Sequence, residues 1–193
     1  MAGGKGLIVL DRDGVLNALV PNPAEPRPDS PMRTAEVSVF PWVRAALRDL
    51  TRAGYAIVIA SNQPAAAKGK TTRAELQAVH AAVVLEATAG GGVILSSHIC
   101  YHRAEDKCTC RKPATGLLAE AFAQHPGFAI AASWIAGDRA PDVLAGFMFG
   151  LKTAYLGAQD SEERAALAAK SIVPTFEGDD LRDFARLLLA KGA

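Results

Sequence analysis

Short apolar runs alternate with helical periodicities along most of the chain. Strands are predicted where polar or glycine residues bound an apolar run, over residues 7–10, 55–60, 93–99, 133–136 and 153–156, with a short one near Ile172 and Val173. Helices are predicted where apolar residues recur at helical spacing, over residues 42–53, 72–88, 116–125, 160–169 and 179–189. This alternation predicts one α/β domain over residues 1–193, with a doubly wound, mainly parallel sheet and helices on both faces.

Composition narrows the class of protein. Half of the 193 residues are hydrophobic, which is enough for a sizeable core, and the formal net charge is +1. A near-neutral chain without an aromatic and basic stripe is not expected to bind nucleic acid. No apolar run approaches the length of a membrane span and no signal peptide precedes the first strand, so we expect a cytoplasmic protein without a membrane partner.

Two carboxylates follow the first predicted strand. Asp11 and Asp13 are two residues apart, and Gly14 lets the chain turn sharply beside them. Ligands of open α/β sheets bind outside the carboxyl ends of the strands. Mg²⁺ relieves the repulsion between neighbouring carboxylates and binds phosphate oxygens as well. An acidic turn without chemistry is the alternative, because Asp is common in turns.

Polar residues also follow two later strands. Ser61 and Asn62 end the second strand, where a hydroxyl and an amide can donate hydrogen bonds to a phosphoryl group, or can simply cap the next segment. Asp138 follows the fourth strand and is placed to complete a metal site. Asp142 either orients a metal-bound water or begins the next helix. Arg139, between these two acids, could meet a distal part of the substrate.

A cysteine-rich loop is predicted over residues 100–113. Cys100 and His102 are separated by one residue, and Cys108 and Cys110 repeat that spacing. Three thiolates and one imidazole form the Cys₃His set of a structural Zn²⁺ site. A closed site of this kind leaves no position for water, so the zinc is expected to hold the loop. Three cysteines without a metal are the alternative.

Two cations follow the last cysteine directly. Lys112 can neutralise charge on a phosphoryl oxygen or on Asp11, and Arg111 can bind a phosphate through two parallel hydrogen bonds. The alternative is a solvated basic pair, but a loop held by zinc favours a role over the site.

A proline-rich loop is predicted over residues 18–41. Its density of prolines excludes a helix or a central strand. Because it leaves the end of the first strand, it either shapes the substrate pocket or is a surface insertion.

Four blocks in this order resemble the motifs of the haloacid dehalogenase (HAD) superfamily: Asp11-x-Asp13-Gly14, Ser61-Asn62-Gln63, Arg111-Lys112-Pro113 and Gly137-Asp138-x-x-x-Asp142. The resemblance spans nearly the whole chain. The cysteine-rich loop is similar to that of the small capless branch, subfamily IIIA, which includes heptose bisphosphate and histidinol-phosphate phosphatases. The resemblance implies a capless phosphatase with catalytic Mg²⁺ and structural Zn²⁺.

The resemblance also implies a role for each matching position. Asp11 resembles the nucleophile that forms an aspartyl-phosphate, and Asp13 resembles the general acid and base. The remaining implied roles are stabilisation of the phosphoryl group by Ser61 and Lys112, substrate binding by Asn62, Arg111 and Arg139, Mg²⁺ binding by Asp11, the backbone carbonyl of Asp13 and Asp138, and Zn²⁺ binding by Cys100, His102, Cys108 and Cys110.

The expected substrate is a small phosphorylated metabolite. Residues 67–69 resemble the corresponding segment of the heptose group, which favours removal of the 7-phosphate from D-glycero-D-manno-heptose 1,7-bisphosphate in heptose biosynthesis. Pro64 departs from the pattern of both groups, so histidinol phosphate or another small phosphomonoester is the alternative. A non-catalytic phosphate-binding module and a nucleic-acid end phosphatase are the alternatives from other classes. All the acids and cations that the chemistry needs are present, and the charge is near neutral, so both are disfavoured.

Overall fold

Strand β1 (Leu7–Leu10) lies inside a parallel sheet in the computed structural model, which describes residues 5–22, 27–158 and 161–190. The other strands are β2 (Ala56–Asn62), β3 (Ser96–Cys100), β4 (Trp134–Gly137), β5 (Lys152–Leu156) and β6 (Phe176–Gly178). Within the described residues they form one six-stranded sheet in the order β3-β2-β1-β4-β5-β6, and every neighbouring pair is parallel. The predicted doubly wound sheet is confirmed.

Helices cover both faces of this sheet. They are α1 (Val43–Arg52), α2 (Arg73–Thr88), α3 (Gly116–Gln124), α4 (Ala140–Phe149), α5 (Glu162–Ala168) and α6 (Leu181–Ala190). Helix α1 packs against α2 and α6, whereas α4 packs against α3 and α5. Two short 3-10 turns, Thr34–Glu36 and Ile130–Ala132, lie in the connections.

The side chains of β1 divide the core into two clusters. Leu7 and Val9 point toward α3 and α4, whereas Ile8 and Leu10 point toward α1 and α6. All four are fully buried. Burial on both faces explains why the run is apolar throughout rather than alternating with polar residues.

The order of the strands reverses at β1. Leu10 pairs with Ile59 of β2 on one side and with Ala136 of β4 on the other. Such a reversal leaves a crevice at the carboxyl ends of the strands, where ligands of doubly wound folds bind. The residues that follow β1, β2 and β4 therefore emerge at one edge of the sheet.

Three local predictions need correction. The strand expected near Ile172 and Val173 is wrong: Ile172 packs with α4 and α5, Val173 is 75% exposed, and β6 begins at Phe176, beyond Pro174. Strand β3 begins at Ser96 rather than at residue 93, since Val93 is exposed in the turn that leaves α2. Helix α6 begins at Leu181 rather than at residue 179.

Other predicted elements match within the described ranges. Thr72 caps α2 and its hydroxyl accepts the Glu75 backbone N–H, as the capping-box pattern predicts. Asp160, the predicted start of α5, lies outside the described residues, and Ser161 caps that helix. No helix in the described ranges is both long and apolar enough to cross a membrane.

Candidate active site

Three carboxylates converge beyond β1 and β4. Asp11 directly follows β1, Asp138 directly follows β4, and Asp142 lies in the first turn of α4. One oxygen atom of each lies within 4.8 Å of the others. Gly14 has a φ of 86°, and a Cβ atom there would lie 2.1 Å from Asp138 Oδ2. The topology of the sheet and the missing side chain of Gly14 together allow this approach.

Without a metal ion, the neighbouring carboxylates of this cluster disfavour one another's ionised form. Burial, together with the charges of Asp11 and Asp142, raises the pKa of Asp138 to about 8. Burial also raises the pKa of Asp142 to about 6, although Lys112 opposes the rise. The Oδ1 atom of Asp138 is buried without a hydrogen-bond partner among the described residues. Mg²⁺ prefers oxygen ligands such as carboxylates, and the unpaired oxygen of Asp138 is available to bind one. These residues therefore fit that ion.

Lys112 provides positive charge within the site. Its Nζ lies 2.8 Å from Asp11 Oδ1 and 2.5 Å from Asp142 Oδ1, and it donates a hydrogen bond to the carbonyl oxygen of Ala60. Burial alone would lower the pKa of Lys112, but Asp11 and Asp142 outweigh burial and raise it. Lys112 therefore remains charged although its residue is only 4% exposed.

Asn62, at the end of β2, holds the backbone of Lys112. Its Nδ2 donates to the Lys112 carbonyl oxygen at 3.0 Å, and its Oδ1 accepts the Lys112 N–H at 3.1 Å. Both polar ends of this amide are thus engaged, and its contact with substrate stays a prediction. The neighbouring Ser61 is buried beside the cleft, and its Oγ accepts a hydrogen bond from Gln63 Nε2 at 3.0 Å.

The cysteine-rich loop after β3 brings its four predicted ligands together. The sulfur atoms of Cys100, Cys108 and Cys110 lie 3.2–3.7 Å apart. The Nδ1 atom of His102 lies 3.6 Å from Cys100 Sγ and 3.2 Å from Cys110 Sγ. Ligand atoms around a tetrahedral zinc with Zn–S bonds of about 2.3 Å are separated by roughly 3.5–3.8 Å. The cluster therefore fits a Cys₃His zinc site.

The crowded thiols carry the electrostatic signature of a cation site. Burial raises the pKa of Cys110 to about 12, and its hydrogen bonds with Cys100 and Cys108 add to the rise. Burial opposes ionisation of Cys108 as well, but hydrogen bonds from the Arg111 backbone N–H and from neighbouring thiols lower its pKa to about 7. A bound cation would favour the thiolate form of all three sulfur atoms.

Tight packing fixes the cysteine-rich loop to the start of α3. A Cβ atom at Gly116 would lie 2.5 Å from the carbonyl oxygen of Thr109 and 2.8 Å from Cys110 Cα. Arg111 Nη1 donates to the carbonyl oxygen of His102 at 3.2 Å. Lys112 belongs to this loop, two residues after Cys110, so the position of its ammonium depends on the fold of the loop.

A cleft of about 470 Å³ opens over these groups. Residues 27–30 of the proline-rich loop form part of its wall. Arg27 forms ion pairs with Glu162 and Glu163 of α5, and Asp29 forms one with Lys70 at 2.8 Å. The described part of this loop therefore shapes the pocket, whereas Pro23 and Pro26 of the same loop lie outside the described residues.

The cleft has cations away from the acidic cluster as well. Lys68, Arg111 and Arg139 line it. Arg139 is exposed, and its Nε and Nη2 atoms donate to Glu163 Oε1 at 3.3 Å. The other oxygen of Glu163 accepts the backbone N–H of Ala140 at 2.9 Å. Glu163 thereby fixes Arg139 at the rim of the cleft.

Comparison with known proteins agrees with this geometry. Residues 109–184 match the family model described as HAD-hydrolase-like. The chain is 30% identical over 184 residues to the D-glycero-beta-D-manno-heptose-1,7-bisphosphate 7-phosphatase of Pseudomonas putida, covering 95% of this chain and 99% of that protein. The chain belongs to the HAD-like phosphatases.

Two further matches bear on this phosphatase. A crystal structure of the D,D-heptose 1,7-bisphosphate phosphatase of B. bronchiseptica, complexed with magnesium and phosphate, superposes with a TM-score of 0.80. It is 28% identical and covers 96% of this chain and 99% of that one. The histidine biosynthesis bifunctional protein HisB of Legionella pneumophila is 32% identical over 72% of this chain and 37% of its own length. The first match agrees with the suitability of the acidic cluster for Mg²⁺.

Three polar residues of this phosphatase site were not assigned from the sequence. Arg12, Asn17 and Gln63 all donate hydrogen bonds to the carboxylate of Asp13, and each is at most 2% exposed. Their position inside or beside the first two motif blocks was the available signal. These blocks adjoin buried strands, and a polar side chain is buried there only if it is paired. The side chain of Asp13 is thus held by this network and is not a member of the cluster formed by Asp11, Asp138 and Asp142.

Proposed function

We propose that this phosphatase removes the 7-phosphate of D-glycero-D-manno-heptose 1,7-bisphosphate with Mg²⁺ as cofactor and Asp11 as nucleophile. The observation that carries the proposal is the setting of Asp11. It follows β1 at the reversal of strand order, clusters with Asp138, and has the Lys112 ammonium 2.8 Å from its Oδ1 atom. The activity named for the Pseudomonas putida relative supplies the substrate.

In the first step Asp11 attacks the phosphorus atom. A bond forms between its carboxylate oxygen and phosphorus while the bond from phosphorus to the sugar oxygen breaks. Asp13 gives its proton to the departing sugar oxygen, so that an alcohol leaves rather than an alkoxide. Lys112 and the hydroxyl of Ser61 offset the charge that spreads over the phosphoryl oxygens.

In the second step water cleaves the aspartyl-phosphate. Asp13, now a carboxylate, accepts a proton from the attacking water, and the bond between Asp11 and phosphorus breaks. Inorganic phosphate leaves, and both aspartates return to their starting states. Dividing the reaction in this way replaces one difficult displacement by two easier ones.

The two metal sites have different proposed tasks. Asp11, the backbone carbonyl of Asp13, and Asp138 are the proposed Mg²⁺ ligands, with Asp142 in the same cluster. When bound, Mg²⁺ supplies positive charge that offsets the charge of the phosphoryl group. The proposed zinc ligands are Cys100, His102, Cys108 and Cys110, and their task is to fix the loop that presents Lys112.

The cations along the cleft suit a substrate with a second anionic group. Arg111 and Arg139 are proposed to bind the part of the substrate distant from the reacting phosphate. The proposal takes residues 1–193 as a single domain that acts on a small cytoplasmic metabolite, without a nucleic-acid or membrane partner.

Histidinol phosphate is the second candidate substrate. The match to the HisB protein of Legionella pneumophila favours it. The same groups around Asp11 would act on it, since the reacting phosphate is chemically the same in both substrates.

The test is release of phosphate by the purified, zinc-loaded protein with Mg²⁺. The α and β anomers of the heptose bisphosphate are compared with histidinol phosphate. Asp11→Asn serves as the inactive variant and Asp49→Asn, a half-exposed site on α1 away from the cleft, as the matched control. We expect the heptose to be preferred, and Asp11→Asn to lose about 10⁴-fold or more in kcat. Enzyme that is quenched during turnover should carry a covalent phosphate. Hydroxylamine should remove this phosphate, as expected for an acyl phosphate on Asp11.

Each other result has a definite meaning. Preference for histidinol phosphate keeps the mechanism and replaces the substrate. Release that survives Asp11→Asn overturns the assignment of the nucleophile. No release from either substrate, with zinc bound and the fold intact, overturns the proposed substrate class.

A further inference from the structure

Arg12 is a fully buried cation placed between the two acids of the first motif. Its residue is 0% exposed. Its Nε donates to Asp13 Oδ1 and its Nη2 to Asp13 Oδ2, both at 3.0 Å. A guanidinium that grips both oxygens of a carboxylate fixes the plane of that carboxylate as well as its position.

Two neutral amides complete the surroundings of Asp13. Gln63 Nε2 donates to Asp13 Oδ2 at 2.6 Å, and Asn17 Nδ2 donates to Asp13 Oδ1 at 2.9 Å. Each oxygen of Asp13 therefore accepts two hydrogen bonds, one from Arg12 and one from an amide. A carboxylate has about four acceptor positions, so the side chain cannot rotate without breaking several of these bonds.

Arg12 is itself held from the other side. Its Nη2 also donates to Gln63 Oε1 at 2.9 Å, while Gln63 Nε2 donates to Ser61 Oγ at 3.0 Å. The network thus links Asp13, which follows β1, to Ser61 near the end of β2. Among the described residues the side-chain hydrogen bonds of Arg12 go to Asp13 and Gln63. Burying a guanidinium is costly unless it is paired. The pairing with the Asp13 carboxylate is therefore what stabilises the buried cation.

We propose that Arg12 and Gln63 are positioning residues for the proton transfers of Asp13. This inference rests on the proposed phosphatase mechanism and adds to it. When the P–O bond to the leaving group breaks, the proton on Asp13 passes to the leaving oxygen; when water attacks, a proton passes from water back to Asp13. A protonated Asp13 has lost one acceptor position, so one donor must release it. The two hydrogen bonds from the Arg12 guanidinium keep the Asp13 carboxyl group in place while one of the neutral amides releases its hydrogen bond.

The test uses leaving groups that differ in their need for a proton. An alkoxide leaves poorly unless it is protonated, whereas p-nitrophenolate leaves without an acid. We expect Arg12→Gln to lower kcat/KM for an alkyl phosphate such as glycerol phosphate by about 10²-fold or more, because general acid catalysis contributes about 10²–10⁴-fold. For p-nitrophenyl phosphate the loss should stay below about 10-fold. Gln63→Met should show the same pattern with a smaller loss.

Two further variants make the comparison decisive. Arg12→Lys keeps the charge without the fork and should lie between wild type and Arg12→Gln. Arg44→Gln removes an arginine from an exposed ion pair between α1 and α2 and should change neither rate. If the Arg12 variants do not fold, Gln63→Met alone carries the test, since it removes no charge.

Two results would overturn the inference. Equal losses for both leaving groups would mean that the network only supports the fold or the phosphate site. Unchanged rates for the alkyl phosphate would mean that Asp13 needs no such support. Neither test ester depends on the proposed heptose substrate. An error in that substrate would therefore not alter the ratio of the losses for the two leaving groups. Failure of wild type to cleave any phosphomonoester would instead refute the proposed function.

Discussion

Two clusters of potential metal ligands in this protein are built in opposite ways. The cysteine-rich loop takes all four ligands from residues 100–110, whereas the acidic cluster joins Asp11 after β1 with Asp138 after β4. The first depends on a local turn of the chain. The second depends on the pairing of β1 with β4, through which residues far apart in sequence become neighbours.

The two clusters also differ in the chemistry of their ligands. Three thiols and an imidazole occupy all four corners of a tetrahedron, which suits zinc in a structural role. The carboxylates are hard oxygen ligands beside an open cleft, and Asp138 retains a buried oxygen without a partner among the described residues. A closed local site stabilises a loop, and an open site built from several strands is available for catalysis.

Lys112 joins the two regions, so its replacement should have the largest effect. It lies near the end of the cysteine-rich loop, and its ammonium lies between Asp11 and Asp142. Lys112→Met should lower kcat by about 10³-fold, comparable to the loss of a main electrostatic donor in other enzymes. It should also destabilise the metal-free protein by about 3–5 kcal/mol, because a buried carboxylate loses its partner. Steady-state kinetics and urea unfolding measure the two effects.

The control for this variant is Lys170→Met, which removes an exposed lysine after α5. It should change neither activity nor stability. If Lys112→Met kept more than about a tenth of wild-type kcat, Lys112 would not act on the phosphoryl group.

The same contrast explains what the sequence could predict. The ligands of the cysteine-rich loop are visible as a local spacing, and the structure brings the four together. The strand ends that carry Asp11 and Asp138 are visible too, because each acid interrupts an apolar run. Their convergence depends on the order of the strands, which the motif resemblance implied and no local pattern contains.

The polar support of Asp13 was not predictable in this way. Arg12 lies between two acids in a motif where a charged residue is expected to be solvated, but it is completely buried and bonds to Gln63, which directly follows β2. The strand predicted near Ile172 failed for a related reason. Ile172 faces the core after α5 although it is not in a strand, Val173 is exposed, and only the pairing of Phe176 with β5 shows where the edge strand begins.

Removal of zinc should have the next largest effect. Cys110→Ser, or chelation by a selective zinc chelator, should lower the melting temperature and reduce kcat by about 10-fold or more, because a misplacement of about 1 Å can cost 10²-fold. Adding Zn²⁺ should restore the chelated wild type, and adding Mg²⁺ alone should not. Full activity of the zinc-free protein would show that the two regions are independent.

Two glycine variants separate the regions more finely. Gly14→Ala places a methyl group against the Asp138 carboxylate, at a backbone position with a positive φ. It should therefore weaken Mg²⁺ activation by about 10-fold, while the zinc content stays at one per chain. Gly116→Ala presses on Thr109 and should lower zinc retention and the melting temperature. Metal analysis and Mg²⁺ titration measure the two effects. Gly127→Ala, which meets no neighbour within 4 Å, is the matched control.

The smallest predicted effect concerns His80, a histidine of α2 that is influenced by the charges of Arg12 and Asp13. Burial, followed by the nearby charge of Arg12, lowers the pKa of His80 to about 4, so this ring stays neutral in the folded protein at pH 5. The unfolded chain binds a proton near pH 6.5, and the stabilisation is therefore complete above that pH and is lost as the pH falls toward 4. We expect wild type to lose on the order of 1 kcal/mol more than His80→Leu between pH 7 and pH 5, allowing for solvent screening of a partly exposed ring. Urea unfolding of both proteins at both pH values measures this difference, and the titration of the carboxylates and thiols cancels in it. Parallel pH dependence of the two proteins would show that the His80 ring is not held neutral in the folded protein.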